Sequence, residues 1–484
     1  MRRNFHRGII MKEKMKVGIV GIGLDVYWAQ FCGLKEALEK NLSALAARLE
    51  RDWCAVKNFG LIDNAESAAQ TAETMRRECI DILFLHTSTY ALSSTVLPVA
   101  KRCGAPIVVL NMQPDAGIDY KKLNSMADRS AMTGEWLRHC SACPAPEIAN
   151  VFKRCKIPFR EVVGYINGDA HAARETAEWL DAARAVYAMR RNRLGLLGHY
   201  YGGMLDIYTD LTLQLASFGG HIELLEMEEL ASLRREVSAA AIKRKMREFE
   251  DNFEITPDCP EAELERAAKT AAALDMLAEK KQLGSLAYYY MGTACAEHAD
   301  IAASVILGNS LLTAAGVPVA GEYEVKNVQA MKILSALGAG GSFTEYVAAD
   351  FEADVVLLGH DGPGHVAIAE GKPKVRPLEK YHGKIGSGLS IEMSVRHGDV
   401  TLLSVAERDG GLLLLHAEGR SVAGDILEIG NTNSRYKFAL GARNFIAAWN
   451  RCGPAHHCAV GVGRVSSKIE KFASLLGIES LKIC

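Results

Sequence analysis

Little in this sequence is unbalanced, and that alone excludes several roles. Lysine and arginine number 56 against 58 aspartates and glutamates, a formal net charge of -2 over 484 residues. A chain this near neutrality carries no electrostatic footprint for nucleic acid or for an anionic membrane surface. No apolar run approaches the roughly 18 residues needed to span a bilayer. The basic start (Arg2, Arg3, Arg7) is followed by few apolar residues before Lys12, Glu13 and Lys14, which is not the pattern of a secretory leader. The first fourteen residues read as a loose extension before a core that begins near Met15. The expectation is a cytoplasmic protein with neither nucleic-acid nor membrane partners.

Repeats, low-complexity tracts and long linkers are also missing. The twelve cysteines are scattered from Cys32 to Cys484, and in a reducing compartment they read as free thiols. Cys140-Ser-Ala-Cys143 is a lone CxxC. A zinc site would call for a second pair or suitably spaced histidines, so packing is the plainer reading. Gly21-Ile-Gly23 opens like a dinucleotide loop, but Val26 stands where the third glycine belongs, so a tight turn after a strand is expected.

The length fits about two to four domains. In the first third, strands at Lys16–Gly21, Asp81–His86 and Pro106–Leu110 alternate with helical patterns. Leu34, Leu38, Leu42, Leu45 and Leu49 recur at helical spacing, and Leu92–Arg102 reads as a second helix. This order predicts a parallel sheet covered on both faces. Ligands of such sheets sit at the carboxyl ends of strands, here Leu24–Trp28, His86–Tyr90 and Asn111–Asp115. The middle third begins again with a strand, Arg193–Leu197, and a turn rich in glycine and tyrosine, Gly198 to Met204. Helices are expected at Asp206–Ser217 and Glu229–Phe249, and another capped by Asp258 with Pro260 in its first turn. Gly284–Met291 reads as a strand leading to a site. From about Asp354 the segments are short and extended (354–358, 389–395, 400–405, 412–416), punctuated by turn residues, which predicts antiparallel strands in a small barrel. A helix at Ser467–Leu476 closes the chain. The expected architecture is therefore α/β: two Rossmann-like domains with parallel sheets (1–190 and 191–335), then a C-terminal antiparallel β-barrel (336–484).

Four residues in the later part could carry chemistry. Glu322 precedes a helical run (Val328–Leu337), where a carboxylate also suits the helix dipole. Glu345 follows Gly340-Gly-Ser-Phe-Thr, where glycine permits close approach. His360 ends the apolar strand Val355-Val-Leu-Leu-Gly and precedes Asp361-Gly-Pro-Gly-His365. His456 and His457 are adjacent, and in an extended segment they point to opposite faces, so one is expected to be a ligand and the other supporting. Two carboxylates and two imidazoles suit a hard divalent cation with positions left for substrate oxygens. Residues alone reach only a candidate metal site.

The runs Gly321-Glu-Tyr-Glu-Val-Lys326 and Gly341-Ser-Phe-Thr-Glu345, then Gly359-His360, then Gly453-Pro-Ala-His-His457 occur in an order and spacing that resemble the L-arabinose and L-fucose isomerases, closer to the former. The resemblance runs over roughly the whole chain. It implies a metal-dependent interconversion of an aldose and a ketose. It further implies Mn²⁺, with Co²⁺ or Mg²⁺ as alternatives, held by Glu322, Glu345, His360 and His457. The two glutamates would pass a proton between C1 and C2 through a cis-enediol. Met204 matches a substrate-contacting methionine, and His199, Tyr27, Tyr289 and His456 are further substrate-side candidates. A homo-oligomer, possibly a hexamer with sites near subunit interfaces, is implied as well. The sequence departs from the arabinose enzymes at Val325, Asn327, the loop Gly23–Trp28 and Tyr288-Tyr-Tyr290. These departures shift weight from the sugar to the chemistry. A pocket lined by Tyr200, Tyr201 and Tyr289 would admit a deoxy or anionic hexose. An aldolase or dehydratase using the same metal, and a non-catalytic sugar-binding protein on the same fold, are the competing readings.

Overall fold

The computed structural model describes residues 13–291, 295–378 and 387–484, so most of the N-terminal extension lies outside the described residues. The chain forms two compact units, Met11–Tyr187 and one that contains Ala188–Cys484.

The first unit is built on a parallel sheet of order β2-β1-β3-β4-β5, with β1 at Met15–Ile22, β2 at Cys54–Ile62, β3 at Ile82–His86, β4 at Ile107–Gln113 and β5 at Phe159–Tyr165. The leucine stripe forms the helix Leu34–Leu49, and all five leucines are buried. Gly23 packs closely under Trp28, whose ring would lie 2.6 Å from a Cβ there, so this glycine serves packing. Tyr27 stacks edge-on against Phe31, with ring centroids 5.6 Å apart. At the β3 tip, His86 is buried with both ring nitrogens engaged, on Met112 O at 3.0 Å and Ser88 Oγ at 2.8 Å.

In the second unit β6 (Arg193–Gly198) and β7 (His221–Leu225) are followed by the short β8 (Glu254–Ile255), then β9 (Ser285–Tyr289) and β10 (Val319–Ala320). Strands β10-β9-β6-β7 form a second parallel sheet. Helix boundaries differ from expectation where local caps intervene. Asp210 caps the helix Leu211–Phe218, leaving only a 3₁₀ turn, Leu205–Ile207, ahead of it. Ser238 accepts from Ala241 N and splits the expected long helix into Met227–Glu236 and Ala239–Asn252. Pro260, not Asp258, precedes the helix Glu261–Lys281.

Beyond these lie β11 (Ser342–Asp350), β12 (Val355–His360), β13 (Lys374–Leu378), β14 (Gly388–Glu392), β15 (Gly398–Arg408), β16 (Gly411–Val422), β17 (Thr432–Phe438), β18 (His457–Val462) and β19 (Glu479–Lys482). A seven-stranded sheet runs β15-β18-β11-β12-β17-β16-β19, and β15 also pairs with β16. All its pairings are antiparallel except β16–β19. The chain ends on β19 rather than on the helix Ser466–Leu476, and a further helix, Gly441–Arg451, covers Phe438 with Phe445. The expected boundary at 335/336 is crossed by shared structure. Strand β8 pairs with β13, and one apolar core joins Phe249, Ala267 and Leu307 to Val375, Leu389 and Ile391. All twelve cysteines are free, Cys140 and Cys143 included.

Three buried histidines make stability acid-sensitive. Burial pushes His86, His365 and His416 from 6.5 down to about 4. Each stays neutral in the fold, while the unfolded chain takes up its proton below about pH 6.5. Stability is therefore complete above that pH and falls as pH drops towards 4, by about 3 kcal/mol per histidine. His416 bridges Ser466 Oγ (2.9 Å) and Ser480 Oγ (3.0 Å). Urea unfolding of His416→Gln between pH 7 and 4.5 should lose stability more gently than the parent by about 1.4 kcal/mol per pH unit. Parallel curves would remove His416 from the cause.

Candidate metal centre

The carboxyl ends of the second parallel sheet deliver one side of the site. Glu322 follows β10, Tyr288 and Tyr289 end β9, and His199 follows β6. The turn that carries Glu322 is unusual: Glu322 and Tyr323 both have positive φ, 57° and 60°. Two successive side-chain-bearing residues in the left-handed region cost about 1–2 kcal/mol each, and such strain gathers where a side chain must be aimed. The turn is held by Tyr323 N donating to Tyr288 O (3.0 Å), by Glu324 N donating to Gly321 O (3.0 Å) and by Tyr201 N donating to Glu322 O (3.4 Å).

The antiparallel sheet delivers the other side. On β11, Glu345 is directly opposite His457 of β18 and Gly359 of β12. His360 is the last residue of β12, and its backbone N–H donates to Thr432 Oγ1 at 3.0 Å. Phe343, fully buried, packs against both imidazoles, its ring centroid 4.5 Å from each, while the His360 and His457 rings meet edge to face at 5.3 Å. Gly359 permits this arrangement, since a Cβ there would sit 1.7 Å from Thr432 O. Gly359→Ala should therefore force β12 from β17, displace His360 and cost about 3 kcal/mol in urea unfolding. A variant as stable as the parent would contradict the register.

Glu322, His360 and His457 converge. His457 Nε2 lies 3.3 Å from Glu322 Oε2, and His360 Nε2 lies 3.7 Å from Glu322 Oε1. Glu345, His456 and His457 form a second group, and within each group one donor atom per residue falls within 4.8 Å of the others. The four residues expected to hold a metal are thus divided between two triads that share His457. Glu322 Oε2 and His457 Nε2 are buried with no hydrogen-bond partner among the described residues. Buried polar atoms are ordinarily satisfied, and orphan donor atoms on a carboxylate and an imidazole suit a divalent cation. These residues could hold a divalent cation of the kind the resemblance implies.

Electrostatics keep the His457 imidazole neutral and available. Burial, then the neighbouring His360 and His456, push His457 well below its ordinary value. Its Nδ1 faces Glu324 Oε2 at 3.4 Å. Glu324 is fully buried, which pushes its carboxyl up to about 8 against the pull of Lys326. Burial also raises Glu345, opposed by His360 and His456.

The expectation that the adjacent histidines point apart fails. Their ring centroids lie 3.7 Å apart, tilted by 40°, and His456 Nε2 also faces Glu322 Oε2, at 3.9 Å. β18 begins only at His457, and Gly453 (φ 64°) turns the chain just before, so strand alternation does not reach His456. Its Nδ1 instead meets Asp206 Oδ2 at 2.6 Å. Burial opposes ionisation of Asp206, but the His456 backbone N–H and ring outweigh it and hold the carboxyl below its ordinary value.

A cavity of about 400 Å³ opens over Glu322, Glu345 and His360, walled by Tyr201, Tyr288 and Tyr289. A second hollow of about 520 Å³ meets Glu345 together with Asp206 and His456. Tyr200 is not on the first wall: its ring packs between Tyr208 and Tyr323, at 5.0 and 4.8 Å. His199, exposed, is not on that wall either and meets Tyr289 edge-on at 5.4 Å. Met204 caps the 3₁₀ turn that carries Asp206 and lines neither hollow among the described residues. Tyr27 belongs to the first unit.

No family model matches the chain, and no curated protein does. A solved carbohydrate transporter from Acidothermus cellulolyticus 11B, in complex with myo-inositol, covers 67% of this chain and 99% of its own at 14% identity, with a TM-score of 0.14. A likeness that weak carries no argument about fold or function.

Proposed function

We propose that the chain is a metal-dependent isomerase that interconverts an aldose and a ketose. The observation that carries this reading is the convergence of Glu322, His360 and His457 beside Glu345 at a cavity, with donor atoms of Glu322 and His457 left unsatisfied. It agrees with the resemblance of the same residues to the L-arabinose and L-fucose isomerases. The pairing of β15 with β16, at opposite ends of the run β15-β18-β11-β12-β17-β16, supports reading the large sheet as a barrel.

Glu322, His360 and His457, with Glu345 beside them, would hold Mn²⁺ or a similar ion. A bound ion of this kind polarises a substrate carbonyl and gathers adjacent oxygens. The remaining work falls to the chain. One of the carboxylates Glu322 and Glu345 takes the proton from the carbon beside the carbonyl and returns it to the former carbonyl carbon, while a hydroxyl proton passes from O2 to O1. Tyr201 and Tyr289, their ring centroids 4.8 Å apart and tilted by 39°, offer aromatic surface to a sugar face. The cavity wall carries Glu322, Glu345 and Asp361 and no lysine or arginine among the described residues. This charge supports an uncharged aldose over the anionic sugar.

Incubation with Mn²⁺ and a panel of pentoses, hexoses, sugar acids and sugar phosphates tests this. Ketose should form from a neutral aldose and not from the charged sugars. Conversion of charged sugars alone would overturn the substrate assignment. Mn²⁺ binding with no conversion of any sugar would favour a binding protein.

A further inference from the structure

Each of the two adjacent histidines presents Nδ1 to a different carboxyl group and Nε2 to the same carboxylate oxygen. His457 Nδ1 faces Glu324 and His456 Nδ1 faces Asp206, while the two Nε2 atoms lie 3.3 and 3.9 Å from Glu322 Oε2. Both carboxyl groups are placed by the start of one helix, Val325–Ala336. Glu324 is its N-cap, and Lys326 Nζ donates to the backbone carbonyl of Asp206 and, at 3.5 Å, to that of Tyr208. Asp206 grips His456 twice with a single oxygen: Oδ2 accepts from the ring Nδ1 at 2.6 Å and from the backbone N–H at 2.9 Å.

An ionised carboxylate only accepts hydrogen bonds, so the proton of a neutral His456 ring resides on Nδ1, leaving Nε2 as a bare lone pair. Such a carboxylate partner fixes tautomer and orientation of an imidazole and raises its basicity as a ligand. His457 has only Nε2 to give, because its Nδ1 is turned to Glu324. The two triads therefore compete for one nitrogen and describe two overlapping positions for one cation.

Resting on the metal reading above, we propose that Asp206 is a positioning residue which locks His456 in the Nδ1–H tautomer. Its Nε2 then completes, with Glu345 and His457, a second position for the cation. The ion is shared between Glu322–His360–His457 and Glu345–His456–His457, and Asp206 sets how strongly the second position holds it.

The test uses full-length protein carrying ¹⁵N-histidine, with His456→Gln to assign the signal. Metal-free parent protein should show His456 as the Nδ1–H tautomer, and Asp206→Asn should shift the population towards Nε2–H. Mn²⁺ titration followed by electron spin resonance should show one ion per chain. Affinity should be about tenfold weaker in Asp206→Asn and in His456→Gln, and no weaker still in the double variant. Asp206→Glu should recover part of the loss. An Nε2–H tautomer in the parent, two ions per chain, or additive losses in the double variant would each overturn the proposal. Absence of Mn²⁺ binding to the parent, with the tautomer as expected, would instead overturn the metal reading beneath it.

Discussion

Glu345→Gln should lower turnover by about a thousandfold or more while leaving the fold unchanged. The substitution keeps the size of the side chain and the β11 pairings to Gly359 and His457, which are made by backbone, but removes the carboxylate. A positioned acid or base contributes about 10²- to 10⁴-fold, and loss of a ligand to the cation adds to that. The same urea midpoint with turnover abolished is the expected pair of results. Turnover within about tenfold of the parent would take Glu345 out of the mechanism.

His457→Asn should weaken Mn²⁺ binding by more than about 100-fold, against about tenfold for His456→Asn. The difference follows from geometry: His457 belongs to both triads and His456 to one. The parent should gain about 2.7 kcal/mol of stability when Mn²⁺ is present at 100 times its dissociation constant, and His457→Asn should gain almost none at that concentration. Thermal unfolding with and without Mn²⁺ reads this directly. Equal losses for the two histidines would contradict a shared His457.

What could be read from the sequence follows burial. Interior strands β1, β3, β4, β6 and β9 are continuous apolar runs, and the sequence announces them. Strands β2, β5 and β7 are edges of their sheets, with mixed exposure along their length, so their apolar signal is broken and propensity alone does not reveal them. The long helix expected over Glu229–Phe249 is divided by a serine cap that hydrophobic spacing does not register. In the site, Glu322, Glu345, His360 and His457 were legible because each stands in a short glycine-marked run. Their supports were not. Asp206 is 250 residues from His456, and Glu324 is 133 from His457. No local pattern joins a carboxylate to a histidine at that distance. Phe343 reads as a core residue and gives no sign that it packs against two imidazoles. His456 and His457 lie together, not on opposite faces, because the strand begins only at His457 and its alternation does not reach His456.

The central claim is a proton transfer that depends on a bound metal. The most direct measurement is proton NMR of neutral aldoses incubated in D₂O with Mn²⁺-loaded protein and with protein treated with chelator. The account predicts ketose formation with deuterium entering at C2 of the recovered aldose, both lost on chelation and restored by Mn²⁺. Ketose formation that persists unchanged in fully chelated protein would contradict it.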